Sequence, residues 1–132
     1  MKKFGLSSSE RIKSKKEFDL VYSSGETSFS TSNRLKVSFY IDGDSEEPGV
    51  KTAFAVSKKA GIAVWRNRVK RILRTSYRLN KQDLIKECEI KKVKLLLVFS
   101  SNFFNQQKNR KIGLNDVMPE VIELMNRIKD KL

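Results

Sequence analysis

The hydrophobic positions of this chain change period several times, and each change predicts an element. Phe18 and Tyr22 are spaced to share one face of a helix, with Val21 beside them. Ser14 with Glu17 three residues on fits a capping box at its start, and Gly25 is placed to end it. Ahead of it, residues 1–13 are polar and aperiodic, which predicts a mobile basic arm. Leu35, Val37, Phe39 and Ile41 alternate with Lys36, Ser38 and Tyr40, the period of a half-buried strand. A turn from Gly43 to Gly49 leads to a second strand, Val50 to Ser57, and the two are expected to pair as a hairpin. From Ala63 to Leu79 the period is helical, whereas Val93 to Phe99 is a continuous apolar run of strand length, the mark of a strand buried on both faces. A polar stretch from Ser100 to Gly113 predicts a long loop. Asn115 is placed to cap a last helix, whose apolar stripe is Met118, Val121, Ile122, Met125 and Ile128, with Pro119 in its first turn.

Helix, strand, strand, helix, strand, helix predicts an α/β or α+β layer with helices packed on a small sheet. The strand-helix-strand passage predicts a parallel pair, right-handed by default. At 132 residues without an internal repeat or linker, the chain is expected to be one domain.

Charge narrows the partners. The net charge is +13, and the stretch from Pro48 to Gln82 contains no Asp or Glu while holding Lys51, Lys58, Lys59, Arg66, Arg68, Lys70, Arg71, Arg74, Arg78 and Lys81. Such a focused field favours a polyanion. Hydrophobic residues make up 39% of the chain, but no apolar run nears the roughly 20 residues of a membrane-spanning helix. The basic start, Met1-Lys2-Lys3, is followed by polar Ser7-Ser8-Ser9-Glu10 where a signal peptide would be apolar, so a cytoplasmic location is expected. Cys88 is the one cysteine and reads as an ordinary thiol.

At about 100° per residue, Arg66, Asn67, Lys70, Arg71, Arg74 and Arg78 fall within an arc of roughly 140°, with Arg68 at its border. Trp65, Val69, Ile72, Leu73, Ser76 and Leu79 fill the opposite, core-facing side. A solvated structural helix mixes both signs to gain i,i+4 pairs, whereas this face has no acid at all. Arginine, whose planar fork suits phosphate, predominates. Gly61 with Lys58 and Lys59 ahead of the helix lets backbone and ammonium groups approach phosphates near its N-terminus.

The run Ser57-Lys58-Lys59-Ala60-Gly61-Ile62-Ala63-Val64-Trp65-Arg66-Asn67-Arg68-Val69-Lys70-Arg71-Ile72-Leu73-Arg74 closely resembles the RNR signature of the bacterial ribonuclease P protein family. Arg11 to Gly25 also resembles that family's first helix, and the likeness extends over nearly everything from residue 11 onward. Thr75 stands where the family often has an acid, Ile62 where a polar residue is common, Trp65 is bulkier than usual, and residues 26–32 look like an insertion.

The resemblance implies a fold like the second domain of ribosomal protein S5, with a left-handed crossover through the basic helix in place of the default hand. It implies a protein subunit that binds a catalytic RNA through Arg66, Asn67, Arg68, Lys70, Arg71 and Arg74, with Lys58 and Lys59 in the preceding loop. It further implies a cleft for the single-stranded 5′ leader of precursor tRNA, lined by Phe18, Tyr22 and Phe39. Tyr40, on the opposite strand face, is the alternative. Stacking on aromatic faces tolerates any base, which a leader of variable sequence requires.

Catalysis is expected in the RNA. The chain has no histidine, hence no ordinary neutral-pH general base, and no metal-binding cluster emerges from its spacing. Glu46 with Glu47 and Glu87 with Glu89 read as solvated carboxylates in a turn and a polar connection. The resemblance implies that magnesium ions are held mainly by the partner RNA, with Asn67 a candidate to help place one. No membrane and no small-molecule substrate are expected. A ribosomal protein of the same fold and a DNA-binding regulator are the rival readings, separable by identifying the nucleic acid that co-purifies.

Overall fold

The computed structural model describes residues 10–43, 45–101 and 106–132. Four strands form one mixed sheet in the order β1-β2-β4-β3, with β1 Glu26–Phe29, β2 Leu35–Asp42, β3 Gly49–Ala55 and β4 Lys94–Ser101. The helices are α1 Lys15–Ser24, α2 Ala63–Asn80, α3 Gln82–Lys91 and α4 Leu114–Lys131. This is an α+β fold, and β3 and β4 are the parallel pair on either side of α2 and α3.

The expected hairpin does not form: β4 lies between β2 and β3, antiparallel to the first and parallel to the second. The reason is burial. Leu95, Leu97 and Phe99 enter the main core while Leu96 and Val98 enter a smaller one on the other face, so this strand needs neighbours on both edges. The connection from β2 bypasses it at one end, where the Ser45 amide donates to the Lys92 carbonyl at 2.8 Å and the Gly49 amide to that of Val93 at 3.1 Å.

One sheet face carries α2 and α4. Leu35, Val37 and Phe39 of β2 meet Trp65, Val69, Leu73 and Tyr77 of α2 and Val117, Val121, Leu124 and Ile128 of α4 there. Tyr77 lies within the cationic arc of the helical wheel yet is fully buried, edge-on to Phe54 with ring centroids 6.2 Å apart, while Leu79 is exposed. The inward line of α2 therefore runs Trp65, Val69, Leu73, Ser76 and Tyr77.

The other face carries α1, with Val21 against Leu96 and Val98. Ser14 caps α1, its hydroxyl accepting from the Glu17 amide at 3.2 Å. The Glu17 carboxylate reaches across to Lys51 at 3.1 Å. Gly25 ends α1 in extended backbone; glycine is needed because a Cβ would stand 2.4 Å from the Phe39 carbonyl oxygen.

Other expectations change in detail. Residues 10–13 are not a free arm: Arg11 bridges to Thr52 on the edge of β3, and Ile12 is buried with its amide donating to the Thr52 carbonyl at 3.0 Å. The rest of that arm lies outside the described residues. Within the expected insertion, Glu26–Phe29 pairs with β2 as β1. The polar connection around Glu87 is α3, whose Leu84 and Cys88 are buried. α4 begins at Leu114, capped by Gly113 rather than Asn115: the Gly113 amide donates to the Asp116 carboxylate at 2.8 Å. Pro119 consequently falls in the second turn.

Candidate nucleic-acid interface

Ser57 caps the 3-10 turn Lys58–Ala60, its hydroxyl accepting from the Lys59 amide at 3.2 Å, and leaves Lys58 and Lys59 exposed. Gly61 follows in extended backbone, so conformational freedom is not why a glycine stands there. A Cβ on it would meet Trp65 Cε3 at 2.8 Å and Gln106 Cβ at 2.9 Å. That close approach lets residues 106–112 bind the start of α2, which has no side-chain N-cap. The Gln106 amide donates to the Ala60 carbonyl at 2.8 Å, and Gln106 Oε1 accepts from the Ile62 amide at 3.0 Å. Trp65 Nε1 donates to the Asn109 carbonyl at 3.0 Å.

Two arginines of the signature are fixed in the same way. Arg66 Nε donates to the Gly61 carbonyl at 3.0 Å and Arg68 Nε to the Ile112 carbonyl at 3.1 Å. Each bond holds the side chain by its stem side and leaves the paired Nη groups for a bidentate acceptor. Asn67, Arg71 and Arg74 are exposed, and Lys70 is half-buried. Among the described residues, none of Lys58, Lys59, Arg66, Arg68, Lys70, Arg71 and Arg74 is ion-paired to a carboxylate. Placing cations side by side without counter-charge is repulsive in the free protein and is relieved by an anion.

The structure neutralises two members of the basic stretch and partly buries a third. Lys81 is buried and paired with Glu10 at 2.9 Å, and Lys51 is paired with Glu17. Arg78 is half-buried, its Nη2 donating to Thr75 Oγ1 at 3.4 Å. Thr75 thus serves as a neutral acceptor for this arginine, which keeps its charge.

The aromatic residues divide between the two faces. Phe18 is half-buried beside the small core under α1, and Tyr22, 60% exposed, follows it on the same flank of the helix. Phe39 does not join them. It is 1% exposed and points into the main core under α2 and α4, and the Lys131 ammonium lies 5.5 Å from its ring centroid. Strand alternation sends Tyr40 to the α1 face, where it is half-buried and lines a cavity of about 260 Å³ with Lys16, Leu20, Asp42 and Leu96. Phe29, at the sheet edge on β1, is exposed.

Among the described residues, carboxylate and thiol groups do not assemble into a reactive centre. Among the described residues, no group of three or more His, Cys, Asp or Glu side chains is placed to hold a metal ion. Glu46 and Glu47 are exposed, and Glu87 is paired with Lys91 at 3.8 Å. The Cys88 thiol is pushed up to about 11, first by burial and then by Glu87 and Glu89. Burial, with a smaller contribution from Glu10, also raises the Tyr77 hydroxyl. No helix among the described residues is long and apolar enough to cross a membrane.

The family model described as Ribonuclease P matches residues 6–115. A ribonuclease P protein component of Macrococcus caseolyticus is 39% identical over 77 residues, covering 58% of this chain and 64% of the relative. A Geobacillus ribonuclease P protein component is 34% identical over 99 residues, covering 75% of this chain and 82% of the relative. The chain thus spans 64% of the length of the Macrococcus relative and also of that from Syntrophus aciditrophicus. The solved RNase P protein of Staphylococcus aureus superposes with a TM-score of 0.66 at 21% identity, covering 91% of this chain and 95% of that one, which shows a shared fold.

Proposed function

The chain belongs to the ribonuclease P protein family, and from that premise we propose that it is the protein subunit of ribonuclease P, assisting endonucleolytic removal of the 5′ leader of precursor tRNA by a catalytic RNA. The observation that carries this reading is the unpaired cationic surface of α2 and its preceding loop. Seven cations without carboxylate partners among the described residues, two of them oriented by backbone carbonyls, are suited to the phosphates of a folded RNA.

The leader of precursor tRNA is assigned to the α1 face. Phe18 and Tyr22 offer rings for stacking, and Tyr40 replaces Phe39 as the strand's contribution, because an aromatic side chain buried in the main core has no free face. In this reading magnesium ions are held by the RNA. The described carboxylates do not fit a metal site, so the protein's part is to bind, orient and neutralise.

Reconstitution tests the proposal. Protein alone should leave precursor tRNA uncut, whereas protein with a bacterial ribonuclease P RNA should cut at the mature 5′ end. The protein's benefit should shrink as magnesium and salt rise, since cations then screen the same phosphates. Site-specific cutting by RNA-free protein after stringent nuclease removal would overturn the reading, as would an RNA whose cutting is indifferent to the protein at every magnesium concentration.

A further inference from the structure

The segment that clamps the start of α2 carries charge of its own. Between the Asn109 carbonyl, which accepts from Trp65 Nε1, and the Ile112 carbonyl, which accepts from Arg68 Nε, lie Arg110 and Lys111. Both are exposed, and neither is ion-paired to a carboxylate among the described residues. The backbone holding them is registered by the Gln106 amide to the Ala60 carbonyl and by the Asn109 and Ile112 carbonyls to α2, so it cannot shift without breaking bonds to Ala60, Trp65 and Arg68.

We propose that residues 106–112 form a second RNA-binding element, in which Arg110 and Lys111 contact phosphates of the same RNA that lies on α2. Three considerations converge. The fold brings two more cations beside a surface already crowded with positive charge, an arrangement that opposes folding unless a polyanion compensates it. Arg68 joins both elements, since it is exposed on α2 and its Nε is tied to the Ile112 carbonyl. The clamp also fixes the spacing of the two elements, and a fixed spacing of charges is what a folded RNA backbone can read. In the sequence this segment showed only as a polar loop, because nothing in its spacing reveals which helix it will embrace.

The inference rests on α2 being the RNA-facing helix, so the experiment keeps the two ideas apart. Binding of the full chain to a bacterial ribonuclease P RNA transcript is measured against salt for wild type, Arg71→Ala, the double variant Arg110→Ala/Lys111→Ala, and Arg110→Lys/Lys111→Arg. The double alanine variant should lower the magnitude of the log-log salt slope by about 2, one per lost phosphate contact, with unfolding unchanged. The charge-preserving variant should restore the slope. A wild-type slope in the double alanine variant, alongside a reduced slope in Arg71→Ala, overturns the second element alone. Wild-type slopes in both overturn the α2 reading and this inference with it.

Discussion

Helices α2 and α4 are each 18 residues long, lie on the same sheet face and pack against the same apolar core, yet they handle charge in opposite ways. On α4 four of the charges are matched. Arg127 pairs with Glu123 at 2.6 Å, Lys131 with Glu26 at 3.4 Å, and buried Glu120 meets Arg34 at 3.2 Å while accepting from Ser30 at 2.7 Å. The contacts with Glu26, Arg34 and Ser30 tie α4 to β1 and to the turn before β2. On α2 the outward cations have no such partners among the described residues, and Arg66 and Arg68 are steadied by carbonyl oxygens. A charge satisfied within the chain holds the chain together, whereas one left unsatisfied at fixed geometry is available to something outside it. Net charge alone cannot tell these apart.

The contrast can be broken at the core first, with the largest effect. Leu124→Ala on α4 removes a fully buried side chain and should cost about 2 to 5 kcal/mol in denaturant unfolding. Arg74→Ala on α2 should leave stability within about 0.5 kcal/mol while weakening RNA binding. If Arg74→Ala instead destabilised the fold and spared RNA affinity, the two helices would not differ as described.

Glu120→Ala comes next. Glu120 is 6% exposed and its carboxylate accepts from the hydroxyls of both Ser30 and Ser32, so its loss should cost about 1 to 3 kcal/mol of stability. The salt slope of RNA binding should not change, and a changed slope would place α4 on the RNA.

A comparable magnitude is expected on the opposite sheet face, in binding rather than folding. Phe18→Ala or Tyr22→Ala should weaken precursor tRNA binding by the reconstituted complex by about 1 to 3 kcal/mol per lost stack, with mature tRNA nearly unaffected. Equal losses for both substrates would make these rings structural.

The inward side of the α2–α3 region should show itself at alkaline pH. Because burial raises the Cys88 thiol from 9.0 to about 11, the folded protein keeps a proton that the unfolded chain releases in that window. Stability should therefore fall as pH rises from 9.0 toward 11, and Cys88→Ala should flatten the decline in a pH series of unfolding curves. An equally steep decline in the variant would assign it to other groups.

The smallest effect is the sharpest comparison. Arg127→Ala breaks a partly exposed i,i+4 pair and should cost less than about 1 kcal/mol, with no change in salt slope. Arg71→Ala should leave stability alone and reduce the slope by about 1. Matching slopes in the two variants would mean that pairing within the fold does not decide which cations meet RNA.

Elements with a strong period were legible beforehand. The alternation from Leu35 to Ile41, the apolar run ending at Phe99 and the cationic arc of α2 depend only on neighbours along the chain, and they stand in the structure as β2, β4 and α2. α3 was missed because neither glycine nor proline separates it from α2, although Leu84, Ile85 and Cys88 already carry a helical spacing. β1 was hidden in a short polar segment that becomes a strand only because β2 offers it an edge.

The basic signature, the lack of histidine and the one-sided charge of α2 were properties of the sequence itself, since composition and helical period need no knowledge of what lies opposite. Tertiary structure decided the rest: that β4 separates β2 from β3, that Phe39 turns inward while Tyr40 faces α1, that Lys51 and Lys81 are neutralised, and that residues 106–112 close over the start of α2. Each of these depends on groups distant along the chain meeting in space. A side chain's surroundings, and so whether its charge or ring is spent within the protein or offered to a partner, are set by that meeting and not by its neighbours in sequence.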